Sequence, residues 1–104
     1  MLISRTSGFP VRPIVEAMIV KEIAAAGGAL WVSDPKVGRT VYDRVGDSLF
    51  VPTEARARRT DGGAVAWRAE VGWAKKNLVL AGIVRPSDES GWGRWELTCT
   101  RHDG

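Results

Sequence analysis

Trp67, Val71, Ala74, Leu78 and Ala81 follow one another at intervals of four, three, four and three residues. An α-helix turns about 100° per residue, so that spacing lines all of them along one side. Arg68, Gly72, Lys75 and Lys76 fall on the opposite side. Gly82 stands where a helix ends in the left-handed conformation, and Ile83-Val84 then begins an extended segment. A helix over 64–81 is expected, with a greasy face for a core and a basic, glycine-notched face for a polyanion. The rest of the chain has to cover the first face and leave the second open.

The chain has 104 residues, enough for one domain with a modest core and too few for two. Residues 1–10 contain Gly8 and Pro10, lack periodicity, and read as a flexible lead-in; 11–99 read as the domain and 100–104 as a tail. Pro13 suits a first helical turn, and Ile14, Val15, Met18, Ile19, Ile23 and Ala26 then give an amphipathic helix closed by Gly27-Gly28. Ala29 to Val32 is long enough only for a small strand. Ser33 or Asp34 with Pro35 looks like a helix start that Gly38 interrupts. Val41, Val45 and Leu49, with Tyr42 alongside, predict a second helix from about Thr40 to near Phe50, and 53–59 forms a further turn or two. Thr60-Asp61-Gly62-Gly63 is a turn, and after the opening helix 84–86 and 94–98 read as a β-hairpin with Trp95 and Leu97 inward.

This order predicts an α+β fold of the winged-helix type: three helices plus a small β-hairpin wing, a helix-turn-helix variant. In that arrangement the third helix usually enters the major groove while the preceding turn and the wing meet flanking phosphates.

The charge supports such a surface. Residues 56–76 hold six Lys/Arg against two Asp/Glu, whereas 1–55 balance six against six and 77–104 hold three against four. The whole net excess of +3 therefore lies in one block, the footprint expected of a nucleic-acid surface. Arg68, Lys75 and Lys76, with Arg56, Arg58 and Arg59 ahead of the helix, are the candidate contacts, most of them to phosphates. Arg68 in the first turn is placed to reach a guanine edge. Thr60 and Asp61 either cap the helix or, for Asp61, accept from a base amino group, and Gly63 permits close backbone approach. Arg94 on the wing meets a phosphate or balances Glu96.

Catalytic features are missing from the pattern. His102 is the single histidine, so neither a metal cluster nor a histidine-centred triad can form around it. A single Cys99 excludes an internal disulfide and a cysteine-cluster zinc site. There is no phosphate-binding glycine loop ending in Lys-Ser/Thr. The expectation is a binding protein without enzymatic activity, cofactor or metal. The longest apolar run is far short of a membrane span and the first residues lack a signal-peptide layout, so cytoplasmic residence without a membrane partner is expected.

The run Trp67-Arg68-Ala69-Glu70-Val71-Gly72-Trp73-Ala74-Lys75-Lys76-Asn77-Leu78, followed by Leu80-Ala81-Gly82-Ile83-Val84, resembles the third helix of the N-terminal domains of Mrr-type restriction endonucleases. Gly93-Arg94-Trp95-Glu96-Leu97-Thr98 is similar to that family's wing strand. The likeness covers roughly residues 64–98 and is only topological over 11–60; the 34–50 stretch, with its Pro-Lys-Val-Gly insertion, departs from the family's second helix. The resemblance implies a double-stranded DNA-binding module working with a nuclease domain or subunit, whose own acidic catalytic pattern this chain lacks. Similar winged helices accompany adenine-methylation-dependent restriction enzymes, which implies a reader of N6-methyladenine in a restriction setting.

The tryptophans, five in all, give that reading a physical handle, because an aromatic pocket favours a methyl group in the major groove. Trp67 lies on the apolar stripe but in the first turn, so it serves either the core or a pocket. Trp73 lies about 240° round the helix from Trp67, so both cannot face one core. Trp73 packs on the hairpin or second helix, the favoured outcome, or is exposed for a partner. Trp92 at the wing tip either stacks on DNA or folds back on the sheet. Trp31 and Trp95 are expected in the core. The alternatives to a modification reader are an ordinary winged-helix transcription regulator and a protein-interaction winged helix that docks through Trp73 and Trp92.

Overall fold

A computed structural model of the chain describes residues 9–34, 39–91 and 93–98. Trp92, Cys99 and the 100–104 tail lie outside the described residues. Helix α1 (Arg12–Ala25) carries Pro13 in its first turn and buries Val15, Ile19 and Ile23. Helix α2 (Val41–Ser48) starts at a reciprocal capping box, Thr40 with Asp43, which satisfies amides that the first helical turn leaves open. The short α3 (Thr53–Arg56) follows. The long α4 (Ala66–Leu80) buries Trp67, Val71, Ala74 and Leu78 of the expected stripe, while Ala81, its C-cap residue, is exposed.

The core lies between α1 and α4. The valine and isoleucines of α1 meet the α4 stripe, with Val41, Val45, Leu30, Val84 and Trp95 closing the sides. Polar ties bind the same two helices at their edges. Arg12 donates from Nε and Nη2 to the two carboxylate oxygens of Glu70 at 2.8 and 2.9 Å, and Asn77 donates to Glu16 at 2.9 Å. This bidentate pairing raises the Arg12 pKa above its ordinary value, the hydrogen bond to Glu70 being the main cause. Phe9 is also buried, its ring edge-on to Trp67 at 5.2 Å. The core therefore includes Phe9, inside the segment that the sequence assigns to the lead-in.

Strand β1 (Ala29–Trp31) pairs antiparallel with β4 (Arg94–Glu96), Leu30 opposite Trp95. On the other side of β4, Val84 bridges Leu97, Arg85 N–H donates to Glu96 C=O and Thr98 N–H to Ile83 C=O. The hairpin expected from 84–98 is thus a single bridge with its flanking bonds, and its loop contains a helical turn, α5 (Ser87–Ser90). Trp31 departs from expectation by being 54% exposed. Strand alternation is the reason: Leu30 points inward, so its neighbours point out. The expected helix start at Ser33-Asp34 is instead a strand, β2 (Ser33–Asp34), antiparallel to β3 (Arg39–Thr40).

Helices α1, α2 and α4 close alike. The amide two residues past each C-cap donates back across a 6→1 bond: Gly28 to Ile23, Val51 to Gly46, Ile83 to Leu78. This closure needs a left-handed residue just after the cap. Gly27 (φ 95) and Gly82 (φ 76) supply it for α1 and α4, but α2 uses Phe50 (φ 57), with its ring 85% exposed. A bulky side chain meets a steric penalty there, and this one gains no burial. Phe50→Gly is expected to raise unfolding stability by about 1 kcal/mol, read as a higher urea midpoint; an unchanged or lower midpoint would show that Phe50 holds a contact that compensates.

Candidate nucleic-acid interface

The chain enters α4 through a tight turn. Arg59 bridges Val65, Thr60 N–H donates to Ala64 C=O at 2.8 Å, and Gly63 N–H returns to Thr60 C=O at 2.9 Å. Gly63 is the left-handed residue, φ 87. The Thr60 hydroxyl accepts from Ala64 N–H at 3.2 Å, within the turn. The N-cap of α4 is Val65 and has no side-chain cap bond, so neither Thr60 nor Asp61 caps the helix. Asp61 is exposed at the tip of the turn. Arg59 curls over the turn, donating from Nη1 to Gly63 C=O at 2.8 Å, and Arg58 is exposed beside it.

Along α4 the basic side chains rest on aromatic faces. The Arg68 guanidinium lies 5.2 Å from the Tyr42 ring centroid and Lys76 Nζ 4.9 Å from that of Trp73. Tyr42 in turn meets Trp95 edge to face at 6.2 Å. Such contacts orient a cation without neutralising it. Trp73 is 52% exposed, so the favoured expectation that it packs on the hairpin or second helix is replaced by the surface position.

Several expected contacts are drawn into the fold. Trp67 is 2% exposed and its indole N–H donates to Tyr42 C=O at 2.8 Å; it belongs to the core and is withdrawn from the contact surface. Arg56 forms an ion pair with Asp47 at 2.7 Å and donates to Val51 C=O at 2.9 Å. Its side chain lies along Gly46, where a Cβ would come within 3.0 Å of it. Arg56 is therefore a staple between α2 and α3. Lys75 is half-buried: Nζ donates to Ser87 Oγ at 3.1 Å and sits 5.5 Å from the Trp95 centroid, and burial lowers its pKa. Arg94 lies 3.2 Å from Glu96, which Arg85 also approaches at 3.6 Å, so the balancing role is the one seen. The expected contact at Trp92 falls outside the described residues.

Two adjoining recesses open along the outward part of α4, the half-buried Lys75 in the wall of one of them. Ala69, Gly72, Trp73 and Lys76 line a shallow open recess of about 280 Å³. Gly72, Lys75, Lys76, Val79 and the Pro86–Asp88 segment line another of about 500 Å³. Sequence reasoning missed Tyr42 as the rest for Arg68, and missed the Pro86–Asp88 wall. For the wall a signal existed, since Pro-Ser-Asp-Glu is itself a helix-start pattern; for Tyr42 there was none, because the contact joins residues far apart in the chain.

No helix among the described residues is long and apolar enough to cross a membrane. Comparison with protein-family models, with curated proteins and with solved structures gives no match.

Proposed function

We propose that this chain is a winged-helix module that binds double-stranded DNA, with α4 in the major groove and the 58–63 turn on flanking phosphates. The observation that carries the reading is where positive charge goes unanswered. Arg12, Arg44, Arg56, Arg85 and Arg94 each face a carboxylate within 4 Å. Arg59, Arg68 and Lys76, on the turn and the outward part of α4, meet a carbonyl or an aromatic face and no carboxylate among the described residues. A row of oriented but unneutralised cations on one helix and the turn before it suits a phosphate backbone. The winged-helix reading is supported by α1, β1, α2, α3, α4 and β4 following one another, with the short β2–β3 pair and α5 inserted among them, and by β4 lying between β1 and the Val84 segment. No catalytic step is assigned.

The finer layer of the proposal is sensing of N6-methyladenine in a restriction or defence setting, beside a nuclease domain or subunit. It rests on the resemblance and on the aromatic surface. With Trp67 in the core, Trp73 is the described tryptophan on α4 available to meet a methyl group in the groove. A mobility-shift comparison of unmodified, hemimethylated and fully methylated duplexes at fixed salt tests it. Methylated duplex is expected to bind roughly tenfold tighter, a preference of about 1.4 kcal/mol; equal affinity for all would leave an ordinary transcription regulator. One observation favours protein docking instead: Leu80 and Ile83 are 76% and 42% exposed beyond Trp73, an apolar strip of the kind partners cover. Indifference to duplex DNA at low salt would select that alternative.

A further inference from the structure

Gly72 sits mid-way along α4, where glycine is the poorest choice short of proline. The fold does not ask for it. Its φ is not among the positive values, and a Cβ built on it meets no atom within 4 Å. Gly46 and Gly82 show the contrast: one makes room for Arg56 and the other supplies a left-handed turn. Among the described residues, neither internal packing nor backbone geometry accounts for Gly72.

Its surroundings do. The two recesses adjoin at Gly72 and Lys76, which border both. Together they make a saddle across α4, with Trp73 at one end and Pro86, Ser87 and Asp88 at the other. Lys75 and Lys76 flank it, against the single described carboxylate of the lining, Asp88. A positively flanked saddle with bare helix backbone at its floor admits a polyanion's inner edge more closely than any residue with a Cβ would.

We infer that Gly72 is the seating point of α4 in the DNA groove, where base-pair edges approach the helix backbone, and that it determines discrimination between sites. The inference rests on the DNA-binding reading above. Phosphate contacts come from long side chains, Arg59, Arg68 and Lys76, which adjust to a small change in depth. Base-edge contacts are short and directional and do not adjust. A methyl group added at Gly72 therefore lifts the helix from the base edges while leaving the backbone contacts in place.

The test is Gly72→Ala in the full chain, with thermal melting and binding measured together. The probes are a duplex recovered from a randomised pool by the native chain and an unselected duplex of equal length, at one salt concentration. The variant is expected to melt about 4 °C higher, because alanine is the better helix former. Its affinity for the selected duplex is expected to fall about tenfold, with affinity for the unselected duplex and the salt slope unchanged. A merely structural glycine would instead lower melting and both affinities together, and that result overturns the inference. So does unchanged affinity for the selected duplex, or a native chain that binds DNA without preferring any sequence; each of these leaves the DNA-binding reading standing. Failure of the native chain to bind any duplex overturns both.

Discussion

Replacing Arg59, Arg68 and Lys76 together by alanine is expected to weaken duplex binding by roughly a hundredfold or more at moderate salt. These side chains carry charge that no carboxylate among the described residues offsets, so the fold loses little when they go. All are exposed, and surface changes of this kind move stability by about 0.5 kcal/mol or less each. A charge-matched control, Arg12, Lys21 and Arg44 to alanine, removes the same net charge from α1 and α2. If long-range attraction alone held the DNA, both variants would lose affinity equally. Direct contact through α4 and its entry turn predicts a much larger loss for the first, together with a shallower salt dependence, by about one unit of slope per lost phosphate contact.

The largest stability effect is expected at Trp67. Trp67→Ala removes the biggest fully buried side chain, its edge-to-face contact with Phe9 and its hydrogen bond to Tyr42 C=O. Large aromatic-to-alanine changes in cores cost about 3–5 kcal/mol, a large share of the roughly 5–15 kcal/mol that holds a domain folded. The variant is expected to be mostly unfolded in urea concentrations that leave the native chain intact. Trp67→Phe separates the two contributions: it keeps much of the packing but loses the indole bond to the Tyr42 carbonyl, which stands in the first turn of α2, and that loss costs about 0.5–1.5 kcal/mol. A Trp67→Ala chain with an unchanged urea midpoint and lost DNA binding would return this residue to the surface role that its first-turn position also permits.

The helices are largely legible in the sequence, because apolar periodicity reports burial directly: the stripes of α1, α2 and α4 are the residues that pack, except Ala26 and Ala81 at the helix ends, which are exposed. Their ends are legible where glycine supplies the left-handed residue, at Gly27 and Gly82. Phe50 hides the same closure after α2, since nothing about phenylalanine signals a left-handed turn. The candidate site is less legible for a related reason. Charge type and helix angle place Lys75, Arg56 and Trp67 near the expected surface, but whether such groups are taken up inside the fold depends on distant partners. Ser87 and Trp95 take Lys75, Asp47 and a bare Gly46 take Arg56, and the Tyr42 carbonyl takes the Trp67 indole. Trp73 shows the converse. The helical wheel separates it from Trp67, yet only the packed molecule, in which no described element covers it, shows that it is 52% exposed.

The most direct test is the association constant of the native chain for a duplex of random sequence, measured from low to moderate salt. Log affinity is expected to fall linearly with log salt, with a slope of about −3 for phosphate contacts made by Arg59, Arg68 and Lys76. A chain that fails to bind at low salt, or whose affinity does not change with salt, would contradict a DNA-binding role for this face.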